Sequence, residues 1–159
     1  MGLDLTCVFQ CRSSDGWVDV ESDFDPGPGR DYVLFAWLGA DVVGRLQHDV
    51  RAIAPPRGLP PDFLVDSDGR HPILHNAIRA PSDREMFRHI DMHPSHPSYL
   101  KVSTDGAYRS WLSAEEILRA VAPQHPSYDP DDGEVRLFIA EVLRLHQVFP
   151  EVRVVFCFH

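Results

Sequence analysis

The chain has 159 residues, 43% hydrophobic and 25% charged, enough for one buried core and too few for a second. Its formal charge of −9, from 24 acidic against 15 basic residues, repels phosphate backbones and argues against nucleic-acid binding, while allowing a local basic pocket. Its three cysteines (Cys7, Cys11 and Cys157) are an odd number without a CxxC pair, so neither a disulfide framework nor a zinc knuckle is expected. No signal segment and no apolar run near the ~20 residues of a membrane span is read in it. The expectation is a single cytoplasmic domain over 1–159 with no membrane contact.

Taken in chain order, "LDLTCVFQCR" (3–12) alternates. Leu3, Leu5, Cys7, Phe9 and Cys11 share one face, which makes the cysteines small core residues. "SSDG" (13–16) supplies turn chemistry, and "WVDVE" (17–21) returns as the second strand of a hairpin. "DYVLFAWLGAD" (31–41) is apolar nearly all round, the pattern of a buried helix, and it is expected to stop near Gly39. From 40 to 70 periodicity fades, and "APPRGLPPDF" (54–63) is held extended by its prolines. Helices are predicted over 71–80, with Pro72 at the first helical position, and over 82–90, capped by Ser82 and Glu85.

"DMHPSHPSYL" (91–100) reads as an extended connection, because each proline biases its preceding histidine away from helix. "YLKVSTDGAYRSWL" (99–112) then suggests a second hairpin around "TDG". Ser113 and Glu116 stand at capping-box spacing ahead of a helix over 113–122. In the longest helix, roughly 131–148, Val135, Phe138, Ile139, Val142, Leu145 and Phe149 make one apolar stripe. "EVRVVFCFH" (151–159) is a final strand. This order predicts an α+β fold, a mostly antiparallel sheet with helices packed on one face.

Several stretches, "MGLDL", "GRDYVLFAWL", "PRGLP", "RSWLSAEEIL" and "VRVVFCFH", lie in order from residue 1 to 159. Together the chain resembles an uncharacterised family of small proteins of tailed phages and some bacteria. That family begins MGxD(I/L), carries PRGLP and SWL(S/T)xEE(I/L), and closes on VRxVFxF. The resemblance brings no activity with it, but it points to Asp4, Tyr32, Arg57, Ser110 and Trp111 as the polar and aromatic motif positions. Thr6, Tyr108 with Arg109, and His159 depart from the family's residues. A histidine–aspartate centre there would have lost part of its set in this chain.

The candidate chemistry is sparse. Arg57, on a stiff loop, can clamp a carboxylate or phosphate bidentately, or pin its own loop; both need the same geometry. Tyr32, Ser110 and Trp111 complete a candidate ligand set, although Tyr and Trp are more often core aromatics. Asp4 and His159 form a candidate catalytic pair if the first and last strands are neighbours, a carboxylate orienting an imidazole. His89, His93 and His96 are the candidate metal ligands, with imidazole suiting Zn, Cu, Fe or Ni. Pro94 and Pro97 end any helix there and no HExxH is present, so separate solvated rings are the simpler reading. His71 and His75 share i, i+4 spacing. No Walker loop and no GxGxxG occurs, and Ser110 lacks a G-x-S-x-G setting.

The leading expectation is a small-molecule-binding accessory protein with an anionic ligand, needing no cofactor. The alternative is a small enzyme using histidine and carboxylate chemistry, a metal-assisted hydrolase or a biosynthetic cyclase. A protein partner or a homo-oligomer is the third possibility.

Overall fold

Alternation along the first strand, β1 (Leu5–Ser13), sets the plan of the fold. The structure is a computed structural model that describes residues 4–26, 32–43, 52–55, 57–60, 62–63, 73, 108–121 and 133–158. β1 turns through Ser14 and Asp15 into β2 (Gly16–Val20). The Ser13 hydroxyl fixes that turn, accepting from the Asp15 amide at 3.2 Å and donating to the Gly16 carbonyl at 3.0 Å. Gly16 takes a φ of 112°, a region that side chains disfavour. The predicted hairpin is therefore present, with its second strand one residue earlier than expected.

Helix α1 (Tyr32–Val43) carries five consecutive buried residues, Leu34 to Leu38, as its all-round apolar pattern requires. The first helical run stops at Gly39, as expected, where the backbone is non-helical (φ −155°, ψ 66°), and a second short run continues across the kink to Val43. β3 (Tyr108–Ser113) runs directly into α2 (Ala114–Ala120), and α3 (Gly133–Val148) returns into β4 (Val152–Phe158). Ser113 caps α2 in the predicted capping box: its hydroxyl accepts from the Glu116 amide, and Glu116 accepts from the Ser113 amide.

The strands form one four-stranded antiparallel sheet of order β2-β1-β4-β3. Register puts Phe9 beside Val154, Cys7 beside Phe156 and Leu112 beside Val154, so their side chains share a face. Against that face pack α1, Ile117 of α2 and the α3 stripe of Val135, Phe138, Val142 and Leu145. Phe138 lies at the centre, with ring centroids 6.1 Å from Phe9, 5.4 Å from Phe24 and 6.3 Å from Trp37. The architecture is the α+β arrangement predicted, with the helices on one face.

The opposite face is not left to solvent. All seven residues of β4 are buried, including Arg153, Val155 and Cys157, which point away from the helices. The proline-held segment between Ile53 and Phe63 supplies part of the cover. Its start packs with the helical core through Ile53 and Ala54, while Leu59, Pro60 and Phe63 are buried and Asp62 reaches Arg153. Ile73 is also buried, and its carbonyl accepts from Arg109 at 3.2 Å. The helices predicted over 71–80 and 82–90, the connection 91–100 and the first strand of the second hairpin lie outside the described residues, Ile73 apart. No helix among the described residues is long and apolar enough to cross a membrane.

Phe138 is fully buried whereas its neighbour Leu137 is 60% exposed. Phe138→Ala should lower the free energy of unfolding by about 3–5 kcal/mol. Leu137→Ala should change it by no more than ~0.5 kcal/mol. Urea denaturation followed by circular dichroism measures both.

Candidate functional site

Three of the four candidate ligand residues meet at β3. Gly58, with φ 72°, turns the chain after Arg57, so that the Arg57 amide donates to the Ser110 hydroxyl at 3.1 Å. The Arg57 guanidinium grips Glu116 with both terminal nitrogens, Nη1 to Oε2 at 3.0 Å and Nη2 to Oε1. Its Cζ lies 5.0 Å from the centroid of the Trp111 ring. Glu116 thus serves two elements at once, because the same carboxylate closes the α2 capping box. Arg57 holds it well below the usual carboxylate range, helped by the Ser113 amide and hydroxyl and opposed by partial burial. Of the two roles open to Arg57, the geometry shows the loop-pinning one.

Asp4 does not join this cluster. Asp4 is exposed at the start of β1, next to the Leu5–Phe158 pair, and β4 stands between β1 and β3. Tyr32 opens α1, but its side chain lies outside the described residues, as do His159, the proposed partner of Asp4, and the metal candidates His89, His93 and His96. Among the described residues no group of three or more potential ligands is placed to hold a metal ion. The thiols are free and quiet: burial pushes Cys157 up to about 11 and raises Cys7 further still, so neither is a nucleophile at neutral pH.

A second constellation, absent from the sequence reading, lies on the sheet face opposite the helices. Arg153 is only 3% exposed on β4. Its Nε donates to Gln10 Oε1 at 2.8 Å and its Nη1 to Asp62 Oδ1 at 2.6 Å. Gln10 in turn donates to Asp19 Oδ1 at 2.8 Å. The guanidinium carbon sits 4.1 Å from the centroid of Trp17, which also has Arg12 at 6.0 Å. Burial lowers the Arg153 pKa, with Asp62 pulling the other way, yet an arginine stays charged. The remaining terminal nitrogen, Nη2, is buried without a hydrogen-bond partner. An unmet donor on a buried charge is costly, and such groups call for an explanation. The sequence signal was a lone arginine inside an otherwise apolar strand, "VRVVFCF".

Arg153 lines a cleft of about 270 Å³ at the end of the sheet, where β3 passes into α2 and α3 returns into β4. Trp17, Trp111, Ser113, His146 and Pro150 line it too. His146 Nδ1 is also buried without a partner. Two carboxylates, Glu115 and Glu151, belong to the same cleft; they are exposed and engaged by Arg119 at 3.3 Å and Arg12 at 3.6 Å. Trp111 connects the two constellations, since it carries Arg57 over its ring and forms part of the cleft wall. A cleft with aromatic and charged residues in its wall can hold a small molecule.

A pH prediction follows from Glu116. Its folded pKa is depressed, so its contribution to stability is fully present at pH 7 and is lost as pH falls from the ordinary carboxylate value through the lower folded one. Glu116→Gln should cost about 1.5 kcal/mol at neutral pH, and the difference from wild type should shrink across that acid window. Denaturation midpoints measured as a function of pH test the sign.

No family model matches this chain, and no curated protein or solved structure matches it. Its function has to be derived from the chemistry of these side chains.

Proposed function

We propose that the protein is a small-molecule-binding accessory protein whose ligand is a compact anion seated in the cleft beside Arg153. The observation that carries this reading is a nearly buried arginine, Arg153, in the wall of a cleft that Trp17 and Trp111 also line. Two hydrogen bonds and the Trp17 contact fix the guanidinium before any ligand arrives, so binding loses little side-chain freedom. The Arg57–Glu116 clamp acts in support, holding the residues that flank Trp111 in place. The anion-binding expectation attached to Arg57 thereby moves to Arg153, while Trp111 keeps its place as a ligand-side residue.

The three free cysteines support a reducing, cytoplasmic setting. The overall acidic charge supports a small ligand over a nucleic acid.

Thermal unfolding tests this proposal with acetate, benzoate, sulfate and inorganic phosphate as probes, at fixed ionic strength. At a concentration near ten times Kd, a true ligand stabilises the folded state by about 1.4 kcal/mol, a Tm rise of about 3–6 °C for a chain of this size. At least one probe should produce that rise, and Arg153→Lys, which lacks the planar fork, should abolish it while circular dichroism stays native. The reading fails if no probe stabilises the protein, or if Arg153→Lys responds as wild type does.

A further inference from the structure

We propose that the outer face of α3 is an interface for a second copy of this chain, the two helices packed antiparallel across a two-fold axis. Four large hydrophobic side chains stand exposed among the described residues, and three of them, Leu137, Leu143 and Val148, are on α3. Leu137 is 60% and Val148 66% exposed, the most open of the four. This face is separate from the cleft. His146, which lines the cleft, stands nine residues from Leu137, about half a turn round the helix.

The pattern of the face selects its own copy as partner. Leu137, Glu141, Arg144 and Val148 are spaced by four, three and four positions, the alternation of a coiled-coil seam. The series is symmetric about a point between Val142 and Leu143, with an apolar residue at each end and an acid and a base inside. A two-fold axis through that point sets Leu137 of one copy against Val148 of the other and Val148 against Leu137, as an isologous contact requires. A parallel arrangement would instead set Arg144 against Arg144. Polar residues in the middle of a seam fix register and orientation at a cost in stability.

Charge agrees with this register. A groove of about 320 Å³ lies between α3 and residues 23–25. Phe24, Leu137 and Ala140 give it an apolar side, and the exposed Asp23 and Asp25 give it an acidic one. Glu141 is neutralised within its own copy by Arg144, at 2.9 and 2.6 Å, and hydrogen bonds from Ser22 and the Asp23 amide hold the segment against it. The groove is therefore preformed and net acidic. Across the axis, its positions 137–144 face 141–148 of the second copy. Val148 there meets the apolar side, and the half-exposed guanidinium of Arg144 meets the acidic one. Sixteen residues make a helix ~24 Å long. One face of it falls below the ~1,200 Å² that stable complexes bury, so the dimer is weak and reversible.

Sedimentation equilibrium of the full chain at low salt, from ~10 μM to ~1 mM, tests the interface. Wild type should fit a monomer–dimer equilibrium with a Kd on the order of 10⁻⁴ M. Leu137→Lys and Val148→Glu should each raise that Kd about tenfold or more, with native circular dichroism, because both side chains are exposed. Combined, the two changes place an ammonium of one copy against a carboxylate of the other, whereas within one chain they stand ~16 Å apart. The double variant should therefore have a Kd about threefold or more below that of either single variant. A wild-type chain that stays monomeric at ~1 mM overturns the proposal. A dimer that neither single change weakens places the contact on another surface and overturns it too. A double variant that binds no more tightly than the single ones overturns the antiparallel register.

Discussion

A charged side chain in the middle of a sheet has to be satisfied from wherever the chain can bring a partner, and Arg153 imposes that condition on this fold. β4 is hydrogen-bonded on both sides, by β1 and by β3, and Arg153, near the start of that inner strand, is only 3% exposed. The partners come from three places: Gln10 on β1, Trp17 on β2 and Asp62 on the irregular segment. Leaving such a charge unpaired inside a protein costs several kcal/mol, roughly 3–5 when one partner is removed. That penalty gives the segment carrying Asp62 a reason to lie on the sheet. Pairing stops one nitrogen short of completion, and the residue itself is part of the cleft wall.

A second clamp completes the arrangement. Arg57 binds Glu116, and five residues later Asp62 binds Arg153, so the stretch from Arg57 to Asp62 is anchored by ion pairs at both ends. Between them, Gly58 takes the positive φ that lets the chain turn, and Leu59 and Pro60 are buried. The anchors reach different elements, α2 and β4, and so tie the irregular segment to the region where both elements border the cleft. A loop without regular structure is thereby held in position by charge placement and burial, not by a backbone ladder. That rigidity favours a preformed site over one assembled on binding.

Local signals in the sequence were the reliable ones. The Ser113–Glu116 capping box, the β1–β2 hairpin and the α3 stripe each depend on residues a few positions apart, and each appears as read. Gly39 does break the helix where the sequence suggests, although a second short run follows across the kink to Val43. Arg57, Ser110 and Trp111 were identified as site residues and do converge. Which role Arg57 takes was illegible, because it depends on Glu116, 59 residues away. Arg153 was passed over for the same reason. Its partners lie 143 and 91 positions distant, and only the register of β1 against β4 brings Gln10 opposite it. Asp4, by contrast, has a position that strand alternation predicts well, but alternation does not say which strand lies beside it.

The central claim is that the cleft beside Arg153 takes a compact anion from outside the chain. The most direct measurement is a crystal structure of the protein grown with benzoate, at a resolution that fixes side-chain nitrogens and bound oxygens. The account predicts benzoate in the cleft lined by Arg153, Trp17 and Trp111, with the Gln10 and Asp62 bonds intact. A structure with benzoate bound elsewhere or not at all would contradict it.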